Sequence, residues 1–179
     1  ESFAGFMHLV DYEETLVGGR IWTDSEPIEA RLTELTSHME NVIQKYLRNE
    51  FATIDAYNRQ AGQLAEPYRF LVVADFPTNF SEGAIRRLGS IISSGARCGV
   101  FTLLMHDKRL GLPADLPLED LAGGCLHLIH DGERFFAEDK LLRHFPLTLD
   151  APPSEDVLTR LMHEVGRRAK HAFRVEVPF

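Results

Sequence analysis

The residues with the most chemical content lie in the run Arg69-Phe70-Leu71-Val72-Val73-Ala74-Asp75-Phe76, a short apolar stretch that ends in an acid. A buried parallel strand that ends in a carboxylate is how nucleotide hydrolases hold an acid against a magnesium ion. Asp75 is therefore a candidate magnesium ligand. Its other reading is a strand-end carboxylate capping the turn before Pro77, and spacing alone favours that one. The next position is where such enzymes usually keep a catalytic Glu, and here it is Phe76. Losing such a group costs several kcal/mol of barrier. Glu82 is no substitute, because it falls in the first turn of the following helix, where acids are favoured.

A second apolar run, Val100 to Met105, ends in His106 and Asp107. Ligands bind at the C-terminal strand edge of open parallel sheets, so these two could sense a bound phosphate. The start of a solvated loop is an equally good reading. Arg97 sits in the turn before this run. It could reach a neighbouring subunit's nucleotide as an arginine finger does, although a surface salt bridge is the commoner fate. A phosphate-cradling loop needs a lysine directly after a glycine. None of Lys45, Lys108, Lys140 and Lys170 follows one, and Gly18-Gly19-Arg20 reads as a turn. The histidines form no metal signature: His127 and His130, three apart on a strand, face opposite sides. Cys98 and Cys125 follow no metal or redox spacing and read as reduced thiols.

These groups need a scaffold, and the hydrophobic pattern supplies one. Asp24 and Ser25 are good N-caps and Pro27 suits a first helical turn. Ile28, Leu32, Leu35, Met39, Val42 and Tyr46 then recur at helical steps, predicting an amphipathic helix packed on a core. A shorter helix is predicted over Ile54 to Gln60, ended by Gly62. The strand 69–75 follows Glu66-Pro67 and stops at Pro77. Ser81 caps a helix to about Ser93, with Ala84, Ile85, Leu88, Ile91 and Ile92 on its apolar side. Strand, helix, strand with fully apolar strands predicts a parallel sheet covered on both faces. Leu110 to Pro117 reads as a loop. Leu126–His130 and Arg134–Ala137, joined through Asp131-Gly132, read as a hairpin, and 145–149 as one more edge strand. Short apolar pieces at 6–10 and 20–23 are further strand candidates. Ser154 caps a last helix to His171 with Val157, Leu158, Leu161, Met162 and Val165 inward. Its basic residues Arg160, Arg167, Arg168 and Lys170 could touch nucleic acid, but fit a solvated helix end or a contact with an adjoining domain better.

The 179 residues suit one domain, or one with an appendage, and a 44% hydrophobic content supports a real core. A net charge of -8 argues against a broad nucleic-acid grip by this segment. No apolar run reaches membrane-spanning length. The chain opens on Glu1 without methionine and stops in what reads as an unfinished strand, so the expectation is an excised piece of a longer protein.

The order of these parts resembles the FtsK/SpoIIIE branch of the FtsK–HerA motor ATPases, over about residues 8 to 109. Thr23-Asp24 before the long helix, the Met39-Glu40 pair, Ile54-Asp55-Ala56-Tyr57-Asn58, Leu71-Val72-Val73-Ala74-Asp75 in the Walker B place and Gly95-Ala96-Arg97-Cys98-Gly99-Val100 carry the likeness. His106-Asp107 stands where the family has Thr-Gln, and Phe76 where it has the Walker B Glu. The Walker A loop would precede residue 1.

The resemblance implies an α/β fold, a partial RecA-like (P-loop NTPase-like) mostly parallel sheet flanked by helices, with a C-terminal β-hairpin and helix. Residues 1–150 would form the α/β domain, and 151–179 the helix and the start of a linker or strand to a following module. It implies a degenerate, ATPase-like unit of a motor that moves DNA or secretes protein, structural or regulatory and not hydrolytic by itself. Asp75, His106 and Asp107 would be vestigial nucleotide or magnesium contacts and Arg97 an inter-subunit residue. ATP and magnesium would belong to the parent protein, with none expected in this fragment and no structural metal. Partners would be neighbouring ATPase modules of the same chain, a homo-oligomeric ring, and the parent's DNA or protein cargo, in the cytoplasm and without membrane insertion of this segment. The competing expectations are an active ATP-binding DNA translocase domain using an upstream P-loop and an unrelated doubly wound ligand-binding domain.

Overall fold

The computed structural model describes residues 8–9, 12, 21–48, 50–112, 121, 123–145 and 147–172. The expectations placed on residues 6–7, 10, 18–20, 113–117 and 173–179 lie outside the described residues. The chain divides into two compact units, Thr23–Leu147 and a unit of Glu1–Trp22 with Thr148–Phe179.

The first unit is mixed α/β with a small two-stranded parallel sheet. Helix α1 (Ser25–Val42) follows the predicted stripe and buries Leu32, Met39 and Val42. Asp24 occupies the N-cap position, but its side chain makes no capping bond. The last turn of the stripe differs from an α-helix: Ile43–Leu47 winds as a π-helix. The wider turn brings Leu47 into the core, 3% exposed, while Tyr46 stays half-buried against Tyr57 at 4.4 Å. Thr53 caps α2 (Ile54–Ala61) by accepting from the Ala56 N–H, and Gly62 ends it at φ 56°.

Strand β1 (Arg69–Phe76), helix α3 (Glu82–Gly95) and strand β2 (Val100–His106) form the predicted crossover. β1 and β2 pair in parallel from Arg69↔Val100 to Val73↔Leu104, and again at Phe76↔His106. Ser81 fixes the start of α3: its hydroxyl accepts from the Ala84 N–H at 3.0 Å and donates to Glu29 of α1 at 2.8 Å. Ala84, Ile85, Leu88 and Ile91 of α3 pack with Leu32, Met39, Val42, Val73, Phe76 and Val100 in one core.

The sheet corrects one expectation. Among the described residues it is covered on one face only, by α3 with α1 behind it. The opposite row is bare: Phe70 is 75% exposed, Leu103 62%, Met105 54%, Phe101 40% and Val72 37%. A continuous apolar run looks the same in sequence whether one side or both sides of its strand are covered.

The hairpin is shorter than predicted, β3 (Leu128–His130) against β4 (Phe135–Ala137). Asp131 accepts from the N–H groups of Glu133 and Arg134 to form its turn. The expected edge strand at 145–149 reduces to one bridge, Phe135↔Leu147. Prolines 152 and 153 lie in an exposed stretch without regular structure.

In the second unit, helix α4 (Glu155–Ala172) has the predicted span, but only Leu158 and Met162 of its predicted inner side are covered. Met162 and Gly166 are buried, whereas Val157, Leu161 and Val165 are exposed. Gly166 faces the Tyr12 ring so closely that a Cβ would clash with it, and Tyr12 bonds His163 Nδ1 at 2.5 Å. The strand candidates at 6–10 and 20–23 are not strands where described: 8–9 lie in a helical turn and 21–23 have no regular structure. Among the described residues no helix is long and apolar enough to cross a membrane.

Candidate functional site

The C-terminal edge of the parallel sheet gathers Asp75, Phe76, His106 and Asp107. Asp75 is the pivot. Its backbone adopts φ 53°, the left-handed region that Asp tolerates better than most residues. This places two residues, Ala74 and Asp75, against the single residue Met105 between Leu104 and His106, a bulge in the parallel pair. Without it Phe76 would alternate with Val73 and point away from the core. With it, both side chains point inward, and Phe76 is 0% exposed. Its ring meets Phe80 edge-on at 5.2 Å and His106 at 6.0 Å. The carbonyl of Phe76 accepts from the Asp107 N–H at 3.2 Å, and that of Asp75 from the Thr78 N–H at 2.8 Å. Asn79, at φ 62°, donates to the Thr23 carbonyl at 2.9 Å and ties this turn to the entry of α1.

Four side chains at this edge have distinct fates. The Asp75 carboxylate is exposed and makes no hydrogen bond or ion pair among the described residues, so it does not cap the turn before Pro77 with its side chain. His106 is half-buried, and its Nε2 is enclosed without a protein partner. Asp107 is engaged by Arg109, whose Nε donates at 2.9 and 3.0 Å and whose Nη2 donates at 2.6 Å. The Arg109 backbone N–H adds a bond at 2.9 Å. Arg109, the fourth, marked only the end of a pattern in the sequence; the Asp-x-Arg spacing was the available signal.

The Arg109 side chain, then its backbone N–H, hold the Asp107 carboxyl down at about 2, below the ordinary 3.8. A depressed carboxyl contributes stability above its ordinary value and loses it as pH falls. Here that loss spans the interval from 3.8 down to about 2. In Arg109→Ala the Asp107 carboxyl should titrate closer to 3.8, though not fully there, because the backbone bond persists. Carboxyl-carbon NMR across acid pH reads this, and an unmoved titration would show that the guanidinium is not its cause.

Arg97 is not part of this cluster. It lies before β2, at the opposite end of a strand about 20 Å long. Its Nε donates to the Ala52 carbonyl at 2.8 Å. At the same end, Ile54-Asp55-Ala56-Tyr57-Asn58 clamps the segment that feeds β1. The Asn58 amide exchanges two 2.8 Å bonds with the Glu66 backbone, and Asp55 accepts from the Tyr68 hydroxyl at 3.0 Å. Two cations at the end of α4, Arg167 and Arg168, pair with Glu164 within the helix.

Chemically, the edge offers one free carboxylate, one half-buried imidazole and a neutralised Asp–Arg pair. Among the described residues no group of three or more His, Cys, Asp or Glu side chains could hold a metal ion. Two cavities lie elsewhere, of about 330 Å³ beside Cys125, His127 and Glu138 and about 200 Å³ beside Lys45 and Arg48. Comparison with known proteins finds no matching family model, no matching curated protein and no matching solved structure.

Proposed function

We propose that this chain is a degenerate ATPase-like module of an FtsK/SpoIIIE-type motor, built on part of a RecA-like sheet and acting as a docking or regulatory unit rather than a hydrolase. The observation that carries this reading is the seat of Phe76. The side chain after the strand-end acid is turned into the core by the bulge, between Phe80 and His106. A carboxylate there would be desolvated and aimed away from the edge where a nucleotide phosphate would lie. Asp107 supports the reading, because its charge is already matched by Arg109. Among the described residues Asp75 remains the one group placed to meet a magnesium ion, and a single carboxylate binds such an ion only with help from substrate phosphates. In this reading ATP, magnesium and the DNA or protein cargo belong to the parent assembly and its neighbouring modules.

The test is equilibrium binding and turnover of labelled ATP with magnesium, for the purified chain alone and extended on its N-terminal side. The expected result is no turnover above the protein-free rate in either form. Magnesium-dependent turnover that Asp75→Ala abolishes would overturn the proposal in favour of an active translocase domain.

A further inference from the structure

We propose that the bare face of the parallel sheet is a self-complementary interface on which a second copy of this chain stacks. Parallel strands are ordinarily buried on both faces. Here one face carries Phe70, Val72 and Ala74 from β1 and Phe101, Leu103 and Met105 from β2, without a charged side chain. Phe70 and Phe101 stack at 5.6 Å and make one end a flat aromatic platform. From their exposures, these side chains with Tyr68 present on the order of 600 Å². A larger contiguous apolar patch than this is unusual on a monomer. Two such faces together would remove about 1,200 Å² from water, the lower bound of a specific interface.

The order of side-chain sizes indicates how the copies fit. Along β1 the bare row shrinks from Phe70 through Val72 to Ala74, and along β2 it runs Phe101, Leu103, Met105. Val72 and Leu103 are register partners at the centre. A two-fold axis through that centre, in the plane between the sheets and across the strands, reverses each row over itself. Phe70 then lies over the partner's Ala74, large against small. Phe101 lies over the partner's Met105, a favourable ring–sulfur contact. Leu103 meets the partner's Leu103. An axis along the strands would instead set Phe70 on the partner's Phe101, large against large. Charged Asp75, at the end of the row, stays in the rim, as interfaces favour.

Sedimentation equilibrium should give twice the 20.3 kDa chain mass, and Leu103→Asp should return it to the single mass. Leu103 is 62% exposed, so the variant should keep its circular dichroism. A second reading keeps a small side chain at the contact. Leu103→Cys, with the exposed Cys125 changed to Ser, should be joined to its copy by a short thiol-reactive cross-linker, because stacked sheets lie about 10 Å apart. A wild-type chain that stays at single mass, a dimer that survives Leu103→Asp, or a Leu103→Cys chain that the cross-linker leaves single would each overturn the proposal. These readings are independent of ATP turnover, so this inference and the proposed function can fail separately.

Discussion

Phe76→Ala is expected to destabilise the Thr23–Leu147 unit by about 3–5 kcal/mol, the range for emptying a fully buried phenylalanine site. The site has little freedom to collapse. Phe80 and His106 hold two sides of the ring, and the Ala84, Ile85 and Leu88 side of α3 belongs to the same core. Phe76→Leu keeps most of the volume and should cost less than about 1.5 kcal/mol. Phe76→Glu should fare worse than alanine, because a buried carboxylate either remains uncompensated or binds a proton. It should therefore fail to create ATP turnover even though it restores the acidic pair in sequence. Urea denaturation of the three variants reads the stabilities, and hydrolysis of labelled ATP by the glutamate variant reads the turnover. A glutamate variant as stable as the parent would mean that the side chain swings out to the edge, and the reading of a core-locked position would be wrong.

Gly99→Ala should cost about 2–4 kcal/mol, from two separate causes. Gly99 adopts φ 79° in the turn between α3 and β2, a region that L side chains enter at a cost. A Cβ there would also meet Ile54 Cγ2 at 2.8 Å and the Tyr68 ring at 3.2 Å. Ile54 is 1% exposed and has nowhere to retreat. The Gly99 carbonyl accepts from the Arg69 N–H at 2.9 Å, so any shift of the turn would loosen the first rung of the sheet. Gly132→Ala is the internal comparison. Gly132 adopts φ 106°, but nothing lies within 4 Å of its added Cβ, so only the backbone cost should appear. Thermal unfolding of the two variants should separate them clearly. Equal effects would mean that the contact with Ile54 and Tyr68 contributes nothing.

Much of the scaffold was legible because its cues are local. The Ile28-to-Tyr46 stripe, the cap at Ser81 and the paired apolar runs report on neighbours a few residues away, and these elements formed within one or two residues of their predicted bounds. The exceptions had non-local causes. The π-helical turn at Ile43–Leu47 serves Leu47's contact with the core, which no periodicity reveals. On α4 the buried side includes Gly166 because the Tyr12 ring needs room there, so Val157, Leu161 and Val165 were assigned inward incorrectly.

At the sheet edge the division is sharper. Sequence alone determined that an acid ends β1, that a ring follows it, that no lysine follows a glycine, and that His106-Asp107 ends the neighbouring strand. It could not determine where these side chains point, because one bulge reverses the facing of every residue beyond it. Tertiary structure decided that Phe76 lies in the core, that Asp75 has no partner among the described residues, that Arg109 neutralises Asp107 and that Arg97 is anchored to Ala52 a strand length away. It also decided that one face of the sheet lies bare, since covering a strand depends on what packs across it and not on the residues within it.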